Sequence, residues 1–429
     1  MTLPNGSFLT GDRSETRQDP EVIVRTLEEI TRSLLEQYPN PAGIGITGQM
    51  HGVLYTDKEG RAVSPLYTWQ DRRGLKLSAD GGTVADRIAR QTGYPVSTGY
   101  GLVTHAALSE NGEVPEEATA LCTIADYAAM RLTGRSAPVI EASNAAGLGL
   151  FDVRLGRFDE AALRAVGIPQ ELLPQVEPSI AKVGEYGPGI PVFNAIGDNQ
   201  ASVLGSLKDL RSTLLLNVGT GGQLSVYSER FAAVPGLETR PFPGGGYLLV
   251  GATLAGGKTY AMLERFFRSV LEAFTDQAGP QPELYERMEA PLDQACPPGD
   301  KLTVRTQFYG TRENPDRRGA IEGIGPANFT PEHLLAGFLE GMADELFGFF
   351  AGMPESLRSG IRSLVGSGNG IRRNRHLRRI CSDRFGMPLF MPAFQEEASV
   401  GAALHAAVGA GLVNGYAAAG GLLSYEPSV

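Results

Sequence analysis

Short apolar runs that stop at glycine or small polar residues, several of them leading into a helical pattern, constrain this chain more than any other feature. "GIPVFNAIGDNQASVLG", "AGIGITGQMHG" and "RSLVGSGNG" all read this way. An apolar run bounded by turn residues fits a buried strand, and strands alternating with helical patterns predict an α/β layering. The first clear helix is "DPEVIVRTLEEITRSLLEQY": Asp19 is placed to cap it, Pro20 fits the first turn, and Val22, Ile23, Leu27, Ile30, Leu34 and Leu35 form one apolar face. "TIADYAAMRLTG" reads as a helix ending at Gly134, and "NAAGLGLFDVRLGRFD" as a strand and turn. A domain boundary is expected at about residue 190. Beyond it, "STLLLNVGTGGQLSVYS" reads as two strands joined by a glycine loop, and a long helix starts with Thr330 as cap and Pro331 in its first turn. "IRRNRHLRRICSDRFG" reads as a helix whose apolar face is Ile371, Leu377, Ile380 and Phe385, with the arginines on the wet side.

The residues at the ends of these strands carry the candidate chemistry. In "LNVGTGG", Gly219, Thr220 and Gly221 suit either a tight hairpin turn or a cradle of amides around phosphate. In "VGSGNG", Gly366, Gly368 and Asn369 fall between a strand and a helix, where a nucleotide can sit at the helix amino end, although the dinucleotide glycine spacing and the GxxxxGK[ST] loop are both lacking. Asp198 has two readings, a helix cap or a general base in a cleft, with Asn199 and Gln200 behind it to bond a polyol. Gln49, Met50 and His51 stand at a strand end, where α/β sheets gather ligands, although a lone histidine is more often a packed one. Trp69, the single tryptophan, is a core aromatic or a sugar-facing one; Asp71 beside it either faces the sugar or is neutralised at the surface by Arg72 or Arg73.

Composition narrows the classes. A formal net charge of -10 argues against a chain that coats nucleic acid or an anionic membrane, so neither is expected as a partner. Three cysteines, Cys122, Cys296 and Cys381, make no metal spacing, and so sparse a set suits a reducing compartment, the cytoplasm. The first residues lack the pattern of a signal peptide, and no apolar run is long enough to span a bilayer.

Taken in order, "GITGQMHG", "TWQDRR", "TIADYAAMRLTG", "SNAAGLGLFD", "IGDNQAS", "LNVGTGGQ", "VGSGNG" and "EEASVGAALHAAVGAG" resemble the FGGY carbohydrate kinases, from about residue 19 to residue 411. The resemblance implies an α/β, two-domain actin-like (ribonuclease H-like) fold with a cleft between a sugar-binding part, 1–190, and a nucleotide-binding part, 191–429. It implies ATP and Mg²⁺ as cofactors, a small-molecule sugar as substrate, and room for a homodimer. Sedoheptulose is the expected ketose, with xylulose, ribulose or glycerol as alternatives, and a sugar-binding chain without catalysis as a reading of another class. Asp198 then matches the base; Gln49, Met50, His51, Trp69, Asp71 and Asn199 the sugar pocket; Gly219, Thr220 and Gly221 the second phosphate loop; Gly366, Gly368 and Asn369 the adenosine loop. Gly310 in "FYGTRENPDRRG" falls on the nucleotide side.

The family's opening strand and "DxGTT"-type turn, its first phosphate loop, has no counterpart in these 429 residues. Asp12 lies in a polar turn and does not replace its metal-holding carboxylate. The resemblance therefore leads us to expect a longer parent chain, and a first sheet short of a central strand.

Overall fold

The computed structural model describes residues 1–11, 15–77, 81–275, 284–293, 300–311, 314 and 316–426; Asp12 and Cys296 lie outside them. Two compact units are present. One comprises Met1–Gly205 with Arg240–Tyr247 and Glu396–Leu422, and the other Ser206–Thr239, Leu248–Gln395 and Leu423–Val429. The division is therefore not a single cut near residue 190, because two later segments return to the first unit.

In the first unit, strands occur in pairs. Thr47–Gly48 lies parallel to Ile196–Gly197, Leu54–Thr56 antiparallel to Ala120–Cys122, and Val139–Glu141 parallel to Gln175–Glu177. Helices complete the layer. Pro20–Gln37 starts as the sequence predicts: the Asp19 carboxylate accepts from the amides of Glu21 (2.8 Å) and Val22 (3.3 Å). Of the apolar face read from the sequence, Val22, Ile23, Leu27, Ile30 and Leu35 are half-buried and Leu34 is exposed, while Val24, outside that face, is buried. Ile124–Thr133 has a reciprocal cap between Thr123 and Asp126 and ends at Gly134 in the left-handed region, as expected. The segment read as a strand from Asn144 is instead a helix, Ala142–Leu148, followed by the hairpin Phe151–Asp152 and Arg157–Phe158. Six of its seven residues are buried, so no wet face marks its period in the sequence.

One close helix packing bears on the turn at Asp198. The helix Asp198–Leu204 lies on Glu397–Gly409, and a Cβ on Gly401 would stand 1.8 Å from the Ala201 carbonyl oxygen. Only glycine permits that approach.

The second unit is built on a six-stranded sheet, in the order Glu238–Pro241, Tyr247–Thr253, Gly222–Ser228, Thr213–Val218, Ser363–Ser367, Leu389–Phe390. Thr213–Val218 and Gly222–Ser228 form the antiparallel hairpin that the glycine loop suggested, and Thr213–Val218 runs parallel to Ser363–Ser367. Pro331–Ala351 packs its Leu335, Phe338, Leu339 and Leu346 into the core with Leu214, Leu224 and Leu364. Thr330 occupies the cap position without a side-chain cap bond, its hydroxyl meeting His333 instead. The arginine-rich segment forms two helices, Asn369–Arg373 and Arg375–Phe385, because Asn374 leaves the helical region and caps the second through the Leu377 amide (2.8 Å). Among the described residues no helix is long and apolar enough to cross a membrane.

Candidate active site

The parallel pair Thr47–Gly48 and Ile196–Gly197 is in register, Ile196 opposite Thr47 and Gly197 opposite Gly48. Gln49 and Asp198 therefore leave neighbouring strands at the same end, with chains about 4.8 Å apart. Asp198 is not the cap of its helix. Gly197 holds that position with extended backbone (φ -60°, ψ 145°), and Asp198 is the first helical residue. Of the two roles the sequence allowed, capping is thus taken over by a glycine. The carboxylate keeps an exposed edge, yet the protein around it raises its pKa by desolvation. The Asn199 amide, the Arg240 guanidinium and its own amide pull the other way without cancelling the rise.

Asn199 accepts from Arg240 Nη1 at 3.4 Å, and Gln200 is buried with Nε2 donating to the Pro241 carbonyl at 3.0 Å. The returning segment 240–247 thus closes over the turn. Met50 is buried beneath it: a Cβ on Gly197 would stand 2.6 Å from Gln200 Oε1 and 2.7 Å from Met50 Sδ. Met50 therefore packs under the turn. His51 sits at φ 73°, a region that non-glycine residues adopt mainly where surrounding structure enforces it. Its Nδ1 lies 2.7 Å from the Gly147 carbonyl, which can only accept, so Nδ1 carries the proton. Its ring stacks on Tyr100 at 4.7 Å. Gln49 Nε2 donates to Gln18 Oε1 at 2.7 Å.

Trp69 is 53% exposed, so it is not a core aromatic. Gly99 presses on its carbonyl, next in sequence to the Tyr100 that stacks on His51, which ties Trp69 to the same surface. Asp71 differs. It is fully buried; Oδ1 accepts from the Arg73 amide (3.0 Å) and Nε (2.8 Å), and Oδ2 from Nη2 (3.2 Å). The pair the sequence allowed at the surface is thus internal, and Asp71 shapes the loop that presents Trp69.

In the second unit, two loops leave adjacent parallel strands at their carboxyl ends. Asn217 is opposite Ser367, and Asn217 Nδ2 donates to Ser367 Oγ at 2.9 Å. Gly219, Thr220 and Gly221 make the hairpin turn. Amides of the segment 256–258 fasten it: Gly256 and Lys258 donate to the Thr220 carbonyl (3.1 Å each) and Gly257 to that of Gly219 (2.8 Å). Gly256 and Gly257 end the stretch "GATLAGG", and with Lys258 they form no recognised phosphate motif in the sequence. Gly366 is buried one residue before the end of its strand, Gly368 follows at φ 82° where a Cβ would stand 2.8 Å from the Val218 carbonyl, and Asn369 is exposed. Gly310 follows Tyr309, whose ring lies 5.9 Å from Lys258 Nζ, so its segment approaches the same turn. Such backbone-lined loops at strand ends suit phosphate. Among the described residues no cluster of three or more His, Cys, Asp or Glu side chains is arranged to hold a metal.

Comparison with known proteins agrees with this geometry. Residues 7–215 match the N-terminal domain, and residues 214–410 the C-terminal domain, of the FGGY family of carbohydrate kinases. The chain is 28% identical to sedoheptulokinase of Homo sapiens over 92% of its own length and 85% of the human protein. It is 24% identical to gluconokinase of Bacillus subtilis (strain 168), over 92% and 80% of the two chains. Its fold is that of the crystal structure of xylulose kinase from Rhodospirillum rubrum (TM-score 0.83, 21% identity, 99% of this chain and 87% of that one).

Proposed function

Because the chain belongs to the FGGY family of carbohydrate kinases, we propose that it transfers the γ-phosphoryl group of ATP to a hydroxyl of a ketose, sedoheptulose first, with Asp198 as the general base. The observation that carries this reading is the Asp198 carboxylate. It stands at the carboxyl end of paired strands beside Gln49, is relieved of capping by Gly197, and has a raised pKa that makes it a better proton acceptor. The sugar hydroxyl oxygen bonds to the γ-phosphorus, the bond from that phosphorus to the bridging oxygen breaks, ADP leaves, and the hydroxyl proton passes to Asp198. Asn199, Gln49, His51 and Trp69 bind and orient the sugar in this scheme. Asp71 acts through the Trp69 loop.

Gly219, Thr220 and Gly221 would hold phosphates, and Gly366, Gly368 and Asn369 the nucleoside. Mg²⁺ would neutralise charge on the transferring group, bound chiefly by phosphate oxygens and water as this ion ordinarily is. Sedoheptulose is favoured by the human relative; the gluconate and xylulose kinases named above make those sugars the comparison set. A reducing compartment such as the cytoplasm fits the buried free thiols Cys122 and Cys381.

The test is ADP release with Mg²⁺-ATP and a panel of sedoheptulose, xylulose, ribulose, gluconate and glycerol. Sedoheptulose is expected to give the highest kcat/KM. Asp198→Asn is expected to lower kcat by about 10² to 10⁴-fold while sugar KM changes by less than about threefold. Near-wild-type turnover in that variant ends the base assignment. Sugar binding without ADP release points instead to a binding protein.

A further inference from the structure

The three residues before Asp198 are held by side chains from elsewhere in the same unit. Asn144 Nδ2 donates to the Ala195 carbonyl at 3.1 Å, Thr47 Oγ1 to that of Ile196 at 2.9 Å, and the Gly197 amide donates to Ser143 Oγ at 3.0 Å. The last contact fixes a direction. A serine hydroxyl has one proton, and that of Ser143 goes to Glu141 Oε2, which also accepts the Ser143 amide at 2.7 Å. A lone pair of Oγ is thereby left facing Gly197. Glu141, Ser143 and Asn144 are all fully buried, and Glu141 Oε1 has no hydrogen-bond partner. A buried acid with one oxygen unsatisfied costs stability, so its presence calls for a return elsewhere. The helix Ala142–Leu148 begins here with Glu141 as its cap, so one carboxylate fixes both the helix start and the Ser143 rotamer.

We infer that Ser143, oriented by Glu141, is a positioning residue that holds the Gly197 amide and so aims the Asp198 carboxylate. Asn144 and Thr47 fasten the two preceding carbonyls, and Gln200 and Met50 press on the Cα of Gly197. The turn is thus gripped at two carbonyls, at the Gly197 amide and at the Gly197 Cα. Asp126 lies near enough to feel the Glu141 charge, and burial lifts both carboxyls to about 7, so the region holds a proton near neutrality. A protonated Glu141 still offers Oε2 as an acceptor to Ser143.

This inference deepens the kinase reading, but one arm of its test does not depend on that reading. Ser143→Ala removes the acceptor for the Gly197 amide, whose hydrogen exchange should quicken by about fivefold or more relative to neighbouring amides. In the turnover arm, the same variant should lose about 10- to 100-fold in kcat, with sugar KM within about threefold. Ser143→Thr, which keeps the hydroxyl, should restore both. Unchanged exchange at Gly197, or unchanged kcat in a folded Ser143→Ala variant, overturns the inference. If wild-type protein turns over no sugar, the kinase reading fails alone, and the exchange result still decides the grip on Gly197. If Ser143→Ala does not fold, Thr47→Val, which removes the donor to the carbonyl of the same Ile196–Gly197 peptide, is read at the same Gly197 amide: quickened exchange and lowered kcat support the grip, and wild-type values for both refute it.

Discussion

The two units place their candidate functional loops by different means. In the second, a continuous sheet sets the register of Asn217 against Ser367, and backbone amides 256–258 fasten the turn at Gly219–Gly221. In the first, strands pair in twos, and the turn bearing Asp198 is held by Ser143, Asn144 and Thr47 side chains. A loop held by backbone tolerates most side-chain changes but no added Cβ where chains touch. A loop held by side chains has the opposite sensitivity. Substitutions therefore separate the two designs.

The largest expected stability effect is in the first unit. Asp71→Asn strips the buried Arg73 of its buried counter-charge and leaves only the half-exposed Glu113 at 3.3 Å, and removal of one member of a buried pair costs about 3–5 kcal/mol. Thermal melting should show that loss with Trp69 fluorescence altered, since the pair shapes its loop; an unchanged melt would mean that side-chain bonds carry little of this unit. In the second unit, Gly256→Ala would set a Cβ 2.4 Å from the Gly221 carbonyl oxygen, a backbone atom with no freedom to swing aside. Overpacking of this kind costs about 1–3 kcal/mol, and KM for ATP should rise while sugar binding is unaffected. An unaltered ATP KM would break the proposed link between the 256–258 segment and phosphate binding at Gly219–Gly221.

The smallest effect is a pH dependence, and its sign follows from the buried acids. Asp126 and Glu141 hold protons up to about 7 in the folded chain, whereas unfolded carboxyls lose them near 4. Their contribution to stability is therefore full at low pH and is lost as pH rises from about 4 through about 7. His105 and His405, pushed down to about 4 by burial, oppose it across the same window, so the wild-type slope is muted. Glu141→Gln isolates the acid: near pH 5 its melting temperature should match the wild type, and by pH 8 it should exceed it. A constant gap between the two proteins would remove Glu141 from the titrating groups.

Much of the architecture was legible because local rules agreed with the fold. Asp19 with Pro20, Gly134 after a capped helix, and the glycine hairpin at Gly219–Gly221 each state their structure within a few residues. The strand ends that carry Gln49, Asp198 and Gly366 were legible for the same reason. Other features were set by distant partners. The helix Ala142–Leu148 is small-sided and almost wholly buried, so no periodic wet face reveals it. Asp198 looked like a cap because aspartate suits that position, yet Gly197 is wedged there by Met50 and Gln200. Ser143 and Gly197 are 54 residues apart, and nothing in either neighbourhood announces their bond. The 240–247 segment joins the first unit only through tertiary contacts such as Arg240 with Asn199.

The close packing of Asp198–Leu204 on Glu397–Gly409 has a consequence for biosynthesis. A chain emerging from the ribosome makes the Asp198 turn early, but the glycine surface that supports its helix follows almost two hundred residues later. At about 5–20 residues per second, the first unit waits some ten seconds or more for its last wall. The six-stranded sheet, whose last strand ends at residue 390, is synthesised in full before that wall. The turn that carries Asp198 therefore gains its support long after it is made.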